Sequence, residues 1–138
     1  MSQSIRVLFV YDNEAALAVR SGMLERYSQI EVTTTTDAST ALEIVADGGI
    51  DCLLSGYALA GSDGITLART VQQHDPGLPF ILFVDNLSTA RLETAFEAGV
   101  TDHVPVSGCQ SSYDLLVERI RASIPQQSEL VAPTGYSE

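Results

Sequence analysis

Few side chains in this sequence are equipped for chemistry, and their positions narrow them further. Asp12 follows the apolar run from Ile5 to Val10, and Asp85 directly follows the run from Phe80 to Val84. Two carboxylates at the ends of buried strands can bind a magnesium ion weakly, because that ion takes oxygen ligands. The plainer reading of Asp12 is a cap on the helix that begins near Asn13 and Glu14, and that of Asp85 is a solvated loop acid. Asp63 precedes Gly64 and suits local turn or cap bonding, while Asp51 opens its apolar run and so lies at the opposite end of the strand. His74 closes a helical stretch, where a protonated imidazole favours the helix dipole. Neither Cys52 nor Cys109 has a histidine and an acid at a spacing that suggests a nucleophile. There is no GxGxxG loop, Walker A loop, zinc spacing or hydrolase elbow.

Two hydrophobic periods alternate in the elements that must position these groups. Ile5 to Val10, Ile30 to Thr33, Ile50 to Ser55, Phe80 to Val84 and His103 to Val106 read as strands. Helical stripes follow each: Ala16, Val19, Met23 and Tyr27; Ala38, Ala41, Leu42 and Val45; Leu67, Ala68 and Val71; Leu92, Ala95 and Phe96; and Tyr113, Leu116, Val117, Ile120 and Ile124. Asp37 and Ser88 stand at cap positions, while Gly48-Gly49, Asp75-Pro76-Gly77 and Gly99 are stop signals. Short apolar strands alternating with helices predict an α/β fold, a parallel five-stranded sheet covered on both faces. Right-handed crossovers make it a doubly wound (βα)5 three-layer sandwich of flavodoxin-like type, with strand order 2-1-3-4-5. Pro105, unable to donate to a ladder, suits an edge strand. Residues 1–124 read as one domain, and residues 125–138 as a polar tail or linker.

Composition excludes several classes of function. The 138 residues are 45% hydrophobic, enough for one domain with a core. No apolar run reaches membrane-spanning length, and no signal peptide opens the chain, so a cytoplasmic protein with no membrane contact is expected. The two cysteines are read as reduced thiols. Eighteen acids stand against seven arginines with no lysine, giving a net charge of −11. That charge argues against direct nucleic-acid binding. Acidity without lysine resembles the proteins of salt-loving archaea.

Several local motifs carry a resemblance to a known family. Ser55-Gly56-Tyr57-Ala58-Leu59-Ala60-Gly61-Ser62-Asp63-Gly64, Phe80-Ile81-Leu82-Phe83 before a polar loop, and Ala98-Gly99-Val100-Thr101-Asp102-His103 occur in this order at fitting spacings. From residue 5 to about residue 124 the chain resembles the receiver domains of response regulators in two-component phosphorelay signalling. The resemblance implies an active site of two acids after the first strand, an acceptor aspartate after the third, a hydroxyl after the fourth and a lysine after the fifth. Together with magnesium these take up and neutralise a phosphoryl group. Here the corresponding residues are Tyr11 and Asp12, Gly56, Val84 and Val106, and Ala60 replaces the family's loop proline. Glycine cannot be phosphorylated, and only Asp12 retains a family side chain at these positions.

The resemblance therefore implies a pseudo-receiver of haloarchaeal type: no enzyme, no cofactor, and no magnesium expected beyond the weak candidates Asp12 and Asp85. Tyr11 and Tyr57 are candidates to fill the vacated pocket. The expected partner is another protein, or a covalently linked sensor or output domain. Binding would use the face of the fourth helix, fifth strand and fifth helix, with Leu92, Phe96, His103 and Pro105 on it, and a homodimer through that face is one form. His103 occupies the family's aromatic switch position, where the alternative reading is an exposed edge-strand histidine. Two other readings stand beside this one: a receiver derivative that binds a small molecule or metal in the emptied pocket, and a phosphorylated receiver whose acceptor has moved to Asp63 or Asp85.

The charge balance makes a direct prediction. Surface carboxylates repel one another in dilute buffer, and molar salt shortens the Debye length to roughly 3 Å. The thermal midpoint of the chain, followed by circular dichroism, should rise steadily as KCl is increased from dilute to molar concentration.

Overall fold

Alternation along short apolar strands divides the core between two faces of one sheet. The computed structural model describes residues 4–85, 87–106 and 110–124. Strand β1 (Ile5–Val10) leads to helix α1 (Glu14–Glu25), β2 (Ile30–Thr35), α2 (Ala38–Asp47) and β3 (Cys52–Ser55). A small antiparallel hairpin follows, β4 (Ala58–Leu59) with β5 (Ser62–Asp63), and then α3 (Gly64–His74). The chain continues through β6 (Phe80–Phe83), α4 (Thr89–Glu97), β7 (Asp102–Val104) and α5 (Gln110–Ala122).

The main sheet is parallel with order β2-β1-β3-β6-β7, which is the expected 2-1-3-4-5 order once the hairpin is set aside. On one face Leu8, Val10, Leu53, Phe80 and Leu82 pack with Ala41 and Val45 of α2, Leu67 and Val71 of α3, and Ala95 of α4. On the other, Val7, Phe9, Leu54, Ile81 and Phe83 pack with Leu17 and Leu24 of α1 and with Leu116 and Ile120 of α5. This is a three-layer doubly wound fold, and the central strands β1, β3 and β6, covered on both sides, are almost wholly apolar within the sheet.

Local signals bound α2 and begin α4 where they were expected to. Asp37 and Ser88 accept backbone hydrogen bonds from Thr40 and Arg91, which caps α2 and α4. Hydrogen bonds from the Thr40 side chain and backbone hold the Asp37 carboxyl below its usual range. Gly48 and Gly49 stop α2 at φ 84° and 87°, a region that disfavours residues with a Cβ.

The structure corrects three expectations. Helix α1 does not bury the stripe Ala16, Val19, Met23 and Tyr27. Its buried residues are Leu17 and Leu24, two turns apart, and Val19 is 67% exposed. Met23 and Tyr27 pack only partly buried at the edge of the same core, so the helix is rotated to put its two leucines innermost. Next, the last strand is Asp102–Val104, so Pro105 lies just beyond it and exposed. That strand is an edge of the sheet nonetheless. The Gly-rich loop after β3 contains the β4–β5 hairpin, whose two-residue strands are too short to leave a periodic pattern.

No helix among the described residues is long and apolar enough to cross a membrane. The expected tail at residues 125–138 and the Cys109 thiol lie outside the described residues.

The phase of α1 can be tested by substitution. Leu24→Ala should destabilise the fold by about 2–5 kcal/mol in urea unfolding, while Val19→Ala should change stability by less than about 0.5 kcal/mol.

Candidate functional site

Because the central strands β1, β3 and β6 are largely apolar, the polar groups of interest lie on the segments that leave their C-terminal ends. The parallel register sets Val10 opposite Ser55, which places Tyr11 and Gly56 side by side as their strands end. The Gly56 amide donates to the Val10 carbonyl at 2.9 Å. A Cβ built on Gly56 would stand 2.5 Å from Tyr11 Cδ1 and 2.7 Å from its Cε1. The tyrosine ring thus occupies the space that a side chain at position 56 would need.

Several contacts fix that ring. Phe9 lies 6.1 Å away, centroid to centroid, and itself packs against Phe83. The Arg20 guanidinium, reaching up from α1, lies 4.7 Å above the Tyr11 ring and 5.9 Å from that of Phe83. Such cation–π contacts contribute roughly 0.5–2 kcal/mol, more as they are desolvated. Gly64 has no room for a side chain either, since a Cβ there would collide with the Gly56 carbonyl oxygen. Its amide donates to the Tyr57 carbonyl at 2.6 Å, and the Ser55 hydroxyl donates to the Gly56 carbonyl at 2.7 Å.

Val84 is buried at the end of β6, and Val106 packs half-buried against the α1–α5 side of the core. Asp12 and Asp85 are exposed at the same rim. Together with Tyr57 and Arg20 these residues line one cavity of about 310 Å³. The expected helix-capping role of Asp12 is corrected: Asn13 is the cap of α1, accepting from the Ala16 amide at 2.9 Å. Asp63 does cap α3, accepting from the Thr66 amide at 2.8 Å. Asp51 accepts from the Arg6 amide at 2.9 Å at the opposite end of the sheet, away from the cavity.

The chain also matches known proteins. The model of the response regulator receiver domain matches residues 7–106. The chain belongs to that family. It is 25% identical over 126 residues to the DNA-binding transcriptional regulator NtrC of Escherichia coli, covering 89% of this chain and 26% of that protein. It is 28% identical over 129 residues to the uncharacterised transcriptional regulatory protein YkoG of Bacillus subtilis, covering 94% of this chain and 55% of that one. The receiver domain thus spans about a quarter of the NtrC length and about half of YkoG. A CheY-like receiver domain protein from Methanospirillum hungatei superposes with a TM-score of 0.80 at 20% identity, over 94% of this chain and all of that one. The signal receiver domain of an HD domain-containing protein from Pseudomonas fluorescens gives 0.80 at 19% identity, over 95% and 96% of the two chains. At these identities the structural likeness bears on the fold.

In this receiver domain the oxygen donors at the rim do not fit magnesium. Asp12 and Asp85 offer carboxylates, but Gly56 has no side-chain oxygen and an aromatic ring stands where one would be. Among the described residues no group of three or more His, Cys, Asp or Glu side chains is placed to hold a metal ion.

On the α4–β7–α5 face, Phe96 is 48% exposed, Pro105 is exposed and Leu92 is half-buried. His103 differs from the exposed edge-strand alternative: its ring is partly buried, with Nε2 3.2 Å from the Val84 carbonyl oxygen. The imidazole thereby joins β7 to the rim segment that begins at Val84. Tyr57 lies under the Arg91 guanidinium at 4.8 Å, which ties the β3 loop to α4. His74 sits exposed in the last turn of α3. Cys52 is fully buried, and burial pushes its thiol up to about 12, which makes it an inert core residue.

Arg20 is the site residue that periodicity concealed. It shares the inward phase of Leu17 and Leu24, at spacings of three and four residues. A charged residue on that phase was the available signal, and the alternative stripe through Val19 masked it.

The Tyr11–Gly56 contact predicts a specific non-additivity. Gly56→Ala should destabilise the domain by about 1–3 kcal/mol through overpacking. In the Tyr11→Ala background the same change should cost much less, and a double-mutant cycle by urea unfolding measures the difference.

Proposed function

We propose that this receiver domain signals by protein–protein interaction and takes up no phosphoryl group. The observation that carries the reading is the Tyr11 ring standing in the space that an acceptor side chain at position 56 would require. The valines at the expected hydroxyl and lysine positions support it. Val84 cannot bond a phosphoryl oxygen, and Val106 supplies no charge to neutralise one. A buried valine at such a rim also needs no polar partner once the phosphoryl group is gone.

A displaced acceptor is less well supported. The Asp63 carboxylate is engaged in capping α3, and Asp85 stands beside an apolar rim without lysine or hydroxyl. On this reading the domain is no enzyme and uses no magnesium. Its state is set by what binds it, because a partner shifts a conformational equilibrium only through differential affinity. The α4–β7–α5 face, with Phe96 and Pro105 outward, is the proposed contact for a partner protein, a linked sensor or output domain, or a second copy. The acidic, lysine-free composition supports a cytoplasmic setting at high salt.

The test is intact-mass analysis after incubation with magnesium and acetyl phosphate. The mass should stay unchanged, and phosphate mapped to any aspartate overturns the reading. Gly56→Asp alone should also remain unmodified, because Tyr11 crowds the new carboxylate. Combining Gly56→Asp with Tyr11→Asp, Val84→Thr and Val106→Lys should restore measurable uptake.

A further inference from the structure

The rim cavity holds charges of both signs that do not neutralise each other. Asp12 and Asp85 line it from the ends of β1 and β6, and Arg20 lines it from α1. Among the described residues none of these three forms an ion pair, and Arg20 makes no hydrogen bond. The Arg20 Nη1 atom is shielded from solvent without a hydrogen-bond partner, an arrangement that is costly for a charged donor. Its guanidinium is held by stacking on Tyr11 and Phe83, with the Tyr113 side chain nearby. It can therefore turn toward an oxygen acceptor in the cavity without breaking a polar bond.

We infer that this cavity binds a small zwitterion of amino-acid size, whose carboxylate pairs with Arg20 and whose ammonium group faces Asp12 and Asp85. The inference rests on the reading of the rim as free of phosphoryl chemistry. Complementarity selects the ligand class. A simple anion meets two exposed carboxylates on a chain of net charge −11, which oppose it. A simple cation leaves Arg20 unpaired and adds a like charge beside it. A molecule carrying both groups satisfies both signs, and guanidinium is well suited to a carboxylate through parallel hydrogen bonds. The volume of about 310 Å³ is at the small end of the usual range for ligand sites. Val84 and Val106 give the floor an apolar patch for the ligand's carbon atoms.

The experiment uses the 138-residue chain, labelled with ¹⁵N, at the salt concentration where it is most stable. Each proteinogenic L-amino acid is titrated to about 20 mM and amide shifts are followed. Every amino acid that binds is then compared with its decarboxylated amine and its N-acetyl derivative. At least one amino acid should shift the amides of Tyr57, Val84 and Val106, and both analogues should bind at least about tenfold more weakly. Arg20→Gln should erase the advantage of the amino acid over the amine. The combined Asp12→Asn and Asp85→Asn change should erase its advantage over the N-acetyl acid. Circular dichroism of each variant establishes that a loss of binding is not a loss of fold.

Absence of rim shifts with every amino acid overturns the inference. So does an amine or an N-acetyl acid that binds as tightly as the parent, which would mark a cation or an anion site. Retained discrimination in Arg20→Gln also overturns it. Failure here leaves the intact-mass result untouched, whereas phosphate uptake would remove the reading beneath both.

Discussion

Burial of one parallel sheet on both faces is the constraint on which the rest of this structure depends. Each strand sends alternate residues to opposite cores, so Leu8 and Val10 meet α2 and α3 while Val7 and Phe9 meet α1 and α5. A polar side chain within such a strand would have to be desolvated on whichever side it faced. Ser55 shows the exception and its condition: it is fully buried, and its hydroxyl donates to the Gly56 carbonyl. Beyond the C-terminal strand ends that covering stops, and there Asp12, Asp85 and Arg20 line one cavity.

At that rim the side chains are fitted to one another in space. Position 56 carries no side chain, and the Tyr11 ring fills the volume that one would need. The close packing of protein interiors explains why the two changes belong together, since a glycine alone would leave a void and a tyrosine alone would collide. The same economy extends to Gly64, whose missing Cβ lets α3 begin against the Gly56 carbonyl. Aromatic packing and two arginine–tyrosine stacks, Arg20 on Tyr11 and Arg91 on Tyr57, hold together a rim that in the family's chemistry is organised by a metal and a phosphoryl group. His103, its Nε2 against the Val84 carbonyl, links this rim to the edge strand of the proposed partner face.

Strong local signals made much of the fold legible. The helix α5 stripe from Tyr113 to Ile120, and Ile124 just past its end, are buried as their spacing predicts, and Asp37, Ser88 and Gly48 cap or stop their helices through bonds within a few residues. Where two patterns competed, local spacing was insufficient. Helix α1 supports a stripe through Val19 and another through Leu17 and Leu24, and only its packing on the sheet and α5 selects the second. The β4–β5 hairpin was hidden for a different reason, because two-residue strands have no period to read.

The identities of the rim residues, and with them the absence of a side chain at Gly56 and of polar side chains at Val84 and Val106, are properties of the sequence alone, since residue type dictates which bonds can form. The parallel architecture follows from the sequence nearly as directly, because hydrophobic period is a local quantity. Tertiary structure alone decided that the Tyr11 ring closes the space beside Gly56 and that Arg20 shares a cavity with Asp12 and Asp85 while pairing with neither. Those relations depend on strand register, on the rotation of α1 and on side-chain direction across elements far apart in the chain, and none of these is encoded in the spacing of neighbouring residues.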